Sequence, residues 1–329
     1  MRIVVSGSIA FDYLMRFPGR FRDHLIAEKL DQISISFLVE TLNRQHGGNG
    51  ANIAYSLALL GERPILMGTA GMDFDEYRVW LDEHGVDTSG VRIIPDVFTA
   101  SFFANTDSEN NQIGSFYTGA MAYSNGYKLA EAVTGKTDLM IISPNDPSAM
   151  SQLAEECAIG GVPFIFDPSQ QVVWLDGDFL MHGIERCSIL ICNEYEWEMI
   201  AKKTGLVRED VVRQGKTLIV THGSDGSHIY SGGDHFAVPV FPVTTIADPT
   251  GVGDAYRSGL MKGLACGFGW ELCGQIGALA AAYVLEHIAP QSHSYTLPDF
   301  VARFRTVFDD QGALDSWLHY DTRRSEAVR

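Results

Sequence analysis

Two glycines and an aspartate stand at the start of a helical pattern, in the segment Asp248-Pro249-Thr250-Gly251-Val252-Gly253-Asp254-Ala255. Glycines at 251 and 253 let backbone N–H groups converge on an anion at a helix N-terminus, where unpaired donors and the helix dipole both favour negative charge. A phosphoryl group suits such a site. A carboxylate there opposes anion binding unless it has a role, and the natural role for Asp254 is to accept the proton of an attacking hydroxyl. The plainer alternative is a glycine-rich turn in which Asp254 only caps the helix.

Three further loops place glycines or polar side chains beside a helix or after an apolar run: residues 47–52 (GGNGAN), 193–196 (NEYE) and 221–226 (THGSDG). In the first loop, glycines permit close approach of a ligand to the backbone, and Asn52 offers both donors and acceptors. The other two follow apolar runs, so they lie at the carboxyl ends of strands, where open α/β sheets bind ligands. Glu196 could hold a water of Mg²⁺, although a glutamate in the first turn of a helix is equally expected by itself. Together with the segment around Asp254, these loops predict one crevice.

Two familiar nucleotide-binding patterns are absent. The triplet Gly135-Lys136-Thr137 resembles the end of a P-loop, but Ala130 stands where the first glycine is required and the triplet precedes a strand. The first apolar run leads into Gly7-Ser8-Ile9-Ala10 with no G-x-G-x-x-G. The sequence therefore gives no support to an oxidoreductase with a dinucleotide cofactor.

Short apolar runs alternate with helical patterns along most of the chain. The predicted strands cover residues 3–6, 64–69, 139–143, 164–167, 189–193 and 218–222. The predicted helices cover residues 52–60, 73–84, 148–159 and 194–203, with a further helical pattern after Asp254. Such a βαβ series predicts an α/β fold, a mostly parallel sheet with helices on both faces.

Other stretches show an apolar–polar alternation with a period of two, as in half-exposed strands: residues 33–38, 99–106 and 112–118. We interpret these stretches as a small β-lid inserted into the main domain. The predicted large domain comprises residues 1–10, 47–98 and 119–310. The lid comprises residues 11–46 and 99–118, and a polar C-terminal tail covers residues 311–329.

Composition excludes several classes of function. The formal net charge of −17 and the lack of a Lys/Arg run argue against partners such as nucleic acid or an anionic membrane. Five cysteines without a C-x-x-C pair encode neither a zinc site nor a disulfide framework, and we expect reduced, buried thiols in a cytoplasmic protein. The first apolar run is too short for a signal peptide, and the apolar stretch 276–289 is too short for a membrane span.

The four motifs, in this order, resemble those of the ribokinase family, also called PfkB carbohydrate kinases, over nearly the full chain. Residues 47–54 resemble the first family signature and residues 248–260 the second, while N-x-x-E and T-x-G-x-x-G occur at 193–196 and 221–226. Within the family, Asp12 and the segments 115–121 and 167–171 are most similar to bacterial adenosine kinases of the actinobacterial type. The resemblance implies a ribokinase-like fold and transfer of phosphate from ATP to the hydroxymethyl group of a nucleoside, adenosine above all, with Mg²⁺.

The resemblance also assigns roles to residues on the phosphate side of the crevice. It implies Asp254 as the base. The anion hole would be formed by the backbone amides of Gly251, Val252 and Gly253. Mg²⁺ and phosphate would be organised by Asn193 and, through water, Glu196. ATP would contact Thr221, Gly223 and Gly226.

Further residues are assigned to the acceptor. The ribose hydroxyls would be held by Ser8, Asp12, Gly48 and Asn52. Asp12 is the clearest of these ligands, because one carboxylate can accept from two vicinal hydroxyls. Phe102 and Phe116 would sandwich a purine, although phenylalanine in alternating strands is also ordinary packing. Gln170 and Gln171 are additional candidates for contact with the substrate.

Two positions depart from the family pattern. Val252 replaces a smaller residue and narrows the expected anion hole. Asp248 is the candidate ligand for a monovalent cation such as K⁺, but Ala289-Pro290 stands about where relatives carry a glycine, which weakens that assignment.

Alternatives to a nucleoside kinase remain at this stage. A sugar kinase of the same family is the nearest; an acceptor that is a sugar phosphate would call for a basic residue near the acceptor residues, and only Arg44 is close to them in sequence. A non-catalytic nucleoside-binding module is the alternative from another class, but a pure binder gains nothing from a carboxylate facing phosphates. The sequence leaves open the acceptor, the phosphate donor, and whether the lid joins two chains as a homodimer.

Overall fold

The computed structural model describes residues 1–24 and 35–319. Its strands, in chain order, are β1 (Ile3–Ser6), β2 (Ala10–Arg16), β3 (Thr41–Gly47), β4 (Ile65–Ala70), β5 (Val91–Ile93), β6 (Ala100–Thr106), β7 (Gln112–Tyr117), β8 (Leu139–Ile142), β9 (Phe164–Phe166), β10 (Ile189–Asn193), β11 (Thr217–Thr221), β12 (Ser227–Ser231) and β13 (Asp234–Val238). Its α-helices are α1 (Asn49–Leu59), α2 (Asp75–Glu83), α3 (Leu129–Ala132), α4 (Pro147–Gly160), α5 (Gly177–Arg186), α6 (Glu194–Thr204), α7 (Arg208–Arg213), α8 (Val252–Ala265), α9 (Trp270–Leu285), α10 (Leu297–Phe304) and α11 (Asp315–Leu318).

The large sheet has the strand order β13-β12-β11-β10-β9-β8-β1-β4-β5. Neighbouring strands pair in parallel from β5 through to β11, and β12 and β13 continue the sheet as antiparallel edge strands. The central strands are apolar on both faces, as the burial of Ile3, Val4 and Val5 in β1 illustrates. A strand that is buried on both faces requires cover on each side, which the helices provide. The predicted α/β class is therefore confirmed.

Two layers of helices cover the sheet. On one face, α1, α2, α8 and α9 pack against residues such as Ile3 and Val5. On the other face, α4, α5, α6 and α7 pack against residues such as Val4 and Met140. The strands and helices predicted for this domain are all present with ends shifted by up to three residues. The strands β5, β12 and β13 and the helices α3, α5, α7, α9, α10 and α11 were not predicted.

The second sheet is a small one with the order β3-β2-β6-β7. β2 pairs antiparallel with β3 and parallel with β6, and β6 forms a hairpin with β7. This sheet is the predicted lid, and the two stretches predicted around residues 99–118 form β6 and β7. The stretch 33–38 was wrongly predicted as a strand: residues 35–39 have no strand hydrogen bonding, and residues 33 and 34 lie outside the described part of the chain. The other two strands of this four-stranded sheet are instead β2 and the more polar β3.

Other expectations need correction too. The predicted polar tail is wrong for its first part, because Leu314 and Trp317 are buried against the core under α10; residues 320–329 lie outside the described part. Four cysteines are buried as expected, but Cys266 is exposed, because it follows the last turn of α8. Within the described ranges, no helix combines the length and apolar character needed to cross a bilayer.

Helices α8 and α9 pack at very close range, which fixes the position of the N-terminus of α8. A Cβ atom added to Gly259 would lie 2.6 Å from both the Gly277 Cα and the Ile276 carbonyl oxygen. We expect Gly259→Ala to push the two helices apart and to lower the free energy of unfolding by about 1–3 kcal/mol, as overpacking does. Denaturant unfolding measures this loss.

Gly269→Ala is the matched control, because a Cβ at Gly269 meets no atom within 4 Å and its φ of −67° suits any residue. Equal stability changes in the two variants would contradict the close-packing explanation.

Candidate active site

The N-terminus of α8 has the shape that the sequence predicted. Gly251 precedes the helix with a φ of 81°, a left-handed conformation that favours glycine. A Cβ at Gly251 would also lie 2.4 Å from the Pro290 Cβ. Of the amides expected to form an anion hole, that of Val252 donates to the Pro249 carbonyl at 3.3 Å. The start of this helix lies at the carboxyl edge of the large sheet, among the loops described below.

Asp254, in the first turn of α8, is a buried carboxylate held by two amides from α1. Asn49 Nδ2 donates to Asp254 Oδ1 and Asn52 Nδ2 donates to Oδ2, each at 2.9 Å. Asp254 is only 5% exposed. Burial raises the pKa of its carboxyl above the usual value, while the charge of Arg257 and the two amide donors oppose that rise. Asp254 is thus a buried carboxylate that two amide donors hold in one orientation.

A second layer of side chains fixes Asn52. Gln291 Nε2 donates to Asn52 Oδ1 at 3.0 Å and to the Tyr77 hydroxyl at 2.5 Å. The Tyr77 hydroxyl in turn donates to the carbonyl of Gly47 at 3.0 Å. Because the Asn52 oxygen is engaged by Gln291, its NH₂ group must face Asp254. The orientation of the Asp254 carboxylate therefore depends on Gln291, a residue that the sequence analysis did not identify.

The predicted acceptor residues are brought together beside Asp254. Ser8 Oγ accepts from the amide of Asn49 at 3.0 Å, so its hydroxyl caps α1. Gly48 has a φ of 92°, and a Cβ there would lie 2.5 Å from the Ser8 carbonyl oxygen. Asp12 lies against Gly47, and burial, with the charges of Asp248 and Asp254, raises the pKa of its carboxyl to about 6. This corner of the crevice is crowded with carboxylates.

The lid places its two candidate aromatic side chains in one row with Asp12. Asp12 pairs with Phe102 across β2 and β6, and Phe102 pairs with Phe116 across β6 and β7. Directly opposed residues in a sheet point to the same face, so all three share one face of the lid. Phe103 lies on the other face, where it stacks on Tyr13 with ring centroids 4.8 Å apart. The lid thus offers two phenylalanines beside Asp12.

At the opposite end of the crevice, Asn193 and Glu196 form a reciprocal cap on α6. Glu196 N donates to Asn193 Oδ1 at 2.8 Å, and Asn193 N donates to Glu196 Oε2 at 2.7 Å. Glu196 is buried, and this burial, reinforced by the charge of Asp167, raises the pKa of its carboxyl. The helix-capping role that the sequence analysis considered for Glu196 is therefore present. The Glu196 carboxylate remains buried at the carboxyl edge of the large sheet.

The remaining candidates lie in two places: those for ATP on the loop after β11, and the substrate candidates Gln170 and Gln171 after β9. Thr221 ends β11, a Cβ at Gly223 would meet no atom within 4 Å, and a Cβ at Gly226 would lie 2.1 Å from the Val238 carbonyl oxygen. Gln171 Nε2 donates to the carbonyl of Asn145 at 2.7 Å, while Gln170 is exposed. Gly226 is thus required by the fold itself.

Asp248 accepts from backbone amides of its own loop and of the loop after α9. Its oxygens accept from the amides of Thr250 at 2.9 Å and Ala289 at 3.3 Å. Ala289 adopts a φ of 76°, which an alanine rarely does, so the loop retains the backbone shape that a glycine would favour.

Asn49, Gln291, Asp167 and Arg257 are site residues that sequence reasoning did not assign. Asn49 could have been found, since it lies three residues before Asn52 and shares its helix face. Gln291 gives no such signal, because its partner Asn52 is 239 residues away. Arg257 Nη2 donates to Asp167 Oδ1 at 2.6 Å, a buried ion pair between α8 and the end of β9.

Comparison with known proteins agrees with the family resemblance seen in the sequence. The model of the pfkB family carbohydrate kinases matches residues 19–296. A nucleoside kinase of Methanothermobacter thermautotrophicus is 29% identical over 92% of this chain and 95% of its own. That of Methanocaldococcus jannaschii is 29% identical over 92% of this chain and 96% of its own.

Solved structures give the same result. The ligand-free nucleoside kinase of Burkholderia thailandensis has a TM-score of 0.83 and 37% identity, covering 92% of this chain and 99% of its own. Structures of the Burkholderia enzyme in complex with inosine and with ADP-inosine have TM-scores of 0.80 and 0.79. The large sheet with its lid is therefore a ribokinase-like fold.

The role of Gln291 can be tested on stability. Gln291→Met keeps the side-chain volume but leaves the Asn52 oxygen and the Tyr77 hydroxyl without their donor. We expect a loss of about 1–3 kcal/mol in the free energy of unfolding, measured with denaturant, because buried polar groups are left unsatisfied. Ser292→Ala, at the exposed neighbouring position, should change it by less than about 0.5 kcal/mol. A Gln291→Met variant as stable as the wild type would show that Gln291 does not hold this network.

Proposed function

The chain belongs to the pfkB family of carbohydrate kinases, and we propose that it transfers the γ-phosphoryl group of ATP to the 5′-hydroxymethyl group of a purine nucleoside. Adenosine is the acceptor expected from the sequence, and inosine is the nucleoside bound by the Burkholderia relative. The observation that carries the proposal is the row Asp12–Phe102–Phe116 on one face of the lid. A carboxylate for the ribose hydroxyls next to aromatic area for a base fits a nucleoside.

A sugar phosphate fits the same crevice poorly. Arg44, the basic residue nearest to the acceptor residues in sequence, pairs with Tyr13 across β2 and β3, one position out of register with Asp12. Its guanidinium lies 3.8 Å above the Phe11 ring and forms an ion pair with Glu76. Arg44 is therefore placed on the face of the lid opposite to Asp12, where it would not neutralise a phosphate on the acceptor.

In the proposed mechanism, Asp254 accepts the proton of the 5′-hydroxyl as the oxygen attacks the γ-phosphorus. Asn49 and Asn52 hold the carboxylate in place, and the amides at the start of α8 bind the oxygens of the transferred group. Asp12 orients the ribose through its hydroxyls. The lid would close over the nucleoside and exclude water, which prevents hydrolysis of ATP.

The family also implies a magnesium ion. In the described ranges, no group of three or more His, Cys, Asp or Glu side chains is arranged to hold a metal. Mg²⁺ commonly takes most of its ligands from phosphate oxygens and water, with one or two carboxylates. Glu196 fits such a role through its second oxygen and a water, since Oε2 is used by the cap. The ion would neutralise phosphate charge. Binding of K⁺ at Asp248 is a proposal only, because both oxygens of this carboxylate already accept from backbone amides.

Asp254→Asn should lower kcat by roughly 10²- to 10⁴-fold, the usual contribution of a positioned base, with the KM for ATP within about threefold of the wild type. Steady-state assays of ADP formation measure both constants. Glu271→Gln, which alters a carboxylate in the first turn of α9, serves as the control and should have the wild-type kcat. A kcat for Asp254→Asn within about threefold of the wild type would remove the assigned base.

Binding of the nucleoside should depend on pH through Asp12. Burial raises the pKa of the Asp12 carboxyl to about 6; the ionised form accepts from both ribose hydroxyls with charge-assisted bonds, whereas the protonated form is a weaker acceptor that also carries an O–H donor. The affinity of the protein for inosine or adenosine should therefore be constant above pH 7 and fall by up to about tenfold per pH unit below pH 6. Calorimetry without ATP measures the Kd of the nucleoside in the absence of phosphoryl transfer, so that proton transfer to Asp254 does not contribute to the result. Asp12→Asn should bind more weakly and without this pH dependence; a wild-type Kd that is constant from pH 5 to 8 would contradict the assignment.

Phe116→Ala should weaken a purine nucleoside by about 1–2 kcal/mol, or five- to thirtyfold in kcat/KM, through loss of aromatic contact with the base. Ribose has no ring to lose. Phe103→Ala, on the other face of the same strand pair, is the matched control and should not discriminate between the two acceptors. Equal losses on nucleoside and ribose would make Phe116 a packing residue.

A further inference from the structure

Arg257 is a buried cation whose hydrogen-bonding capacity is only partly used by the fold. It is 7% exposed, and its Nη2 donates to Asp167 Oδ1 at 2.6 Å. Its Nε is buried and has no hydrogen-bond partner among the residues that the structure describes. An arginine carries five N–H donors, and orphaned buried donors are costly. Most of the donors of Arg257 thus remain for something other than Asp167.

The free end of this guanidinium lies at the glycine turn. A Cβ built on Gly253 would lie 2.7 Å from Arg257 Nη1, so the guanidinium occupies the space in front of Gly253. Gly253 directly precedes Asp254, and its amide is one of those expected to bind the transferred phosphoryl group. Arg257 also lies one turn after Asp254, so both side chains leave α8 on the same face. The unused Nη1 group is therefore placed at the glycine turn that directly precedes Asp254.

More carboxylates surround Arg257 than the single one that a structural ion pair requires. Its electrostatic partners are Asp167, Asp254 and Glu196, all buried. A buried ion pair is weak grounds for stability, because desolvation offsets much of the attraction. Three carboxylates leave a net negative charge around Arg257, so a phosphoryl group would be stabilised here only by direct hydrogen bonds from the free donors of the guanidinium.

We propose that Arg257 is a further catalytic residue, whose Nη1 group donates to the phosphoryl group in transit. The inference rests on the proposed function. In that step the 5′-oxygen forms a bond to the γ-phosphorus, its proton goes to Asp254, and the bond to the bridging oxygen breaks with its electron pair remaining on ADP. The equatorial oxygens carry negative charge throughout, next to the carboxylate of the base. Arg257 offsets that repulsion at the position where the charge is greatest.

The test compares variants that keep the buried charges balanced. Arg257→Met alone leaves Asp167 buried without its partner and could fail to fold, so the informative protein is Arg257→Met/Asp167→Asn. Asp167→Asn alone retains the arginine and is its reference. The pair Lys262→Met/Glu62→Gln is the matched control, because it removes a second buried ion pair from α8, of 2.7 Å, two turns away from the site. Thermal unfolding confirms that each protein is folded.

We expect Arg257→Met/Asp167→Asn to have a kcat roughly 10²- to 10³-fold below that of Asp167→Asn, the scale for one preorganised donor at developing charge. The Lys262→Met/Glu62→Gln control should stay within about threefold of the wild type. Inhibition by ADP, inosine and aluminium fluoride, a mimic of the phosphoryl group in transit, should weaken by a similar factor to kcat. The Kd of ADP alone should change by less than about threefold.

A double variant with the kcat and the aluminium fluoride inhibition of Asp167→Asn would overturn the proposal and make Arg257 a structural residue. Equal weakening for ADP alone and for the fluoride complex would overturn it as well, since Arg257 would then act on the ground state. Failure of the proposed function is seen separately, as a wild-type protein that phosphorylates neither inosine nor adenosine. In that case the same variants are compared with the acceptor that the wild type does use.

Discussion

The structure is organised around keeping one buried carboxylate charged. An ionised carboxylate without partners in a protein interior costs several kcal/mol, and it usually takes up a proton instead. Asn49 and Asn52 oppose this tendency by donating to Asp254 from a helix some 200 residues earlier in the sequence, although burial still raises the pKa of its carboxyl. The two helices are joined again where Ser258 Oγ donates to the Ile53 carbonyl at 2.9 Å. The packing of α1 on α8 thus holds the Asp254 carboxylate between two donors.

The same constraint sets the charge of the crevice. Asp12, Asp254 and Glu196 contribute carboxylates to the crevice, and Arg257 is a buried cation close to Asp254 and Glu196. Carboxylates repel phosphates unless the phosphates arrive with a cation, which is how nucleoside triphosphates bind when Mg²⁺ accompanies them. The excess of carboxylate is therefore consistent with the magnesium ion of the proposed function.

Local sequence patterns predicted much of the fold and several residues of the candidate site. The glycines before Asp254 predict a helix N-terminus because few other residues allow that turn, and the alternation around Phe102 and Phe116 predicts lid strands. Long-range partners could not be predicted: nothing near Gln291 indicates that it orients Asn52, and nothing near Arg257 indicates Asp167, 90 residues before it. The stretch 33–38 shows that a local pattern can also mislead. Its apolar–polar alternation predicts a strand, but residues 35–38 form none, and the polar β3 pairs with β2 instead.

The central claim is that a deprotonated 5′-hydroxyl of a nucleoside attacks ATP. The most direct measurement is ³¹P NMR of the products formed from ATP, Mg²⁺ and inosine or adenosine, repeated with the 5′-deoxynucleoside. The account predicts equal amounts of ADP and nucleoside 5′-monophosphate with the nucleoside, and neither product with the 5′-deoxy analogue. Phosphorylation of the analogue, or release of inorganic phosphate in place of the monophosphate, would contradict it.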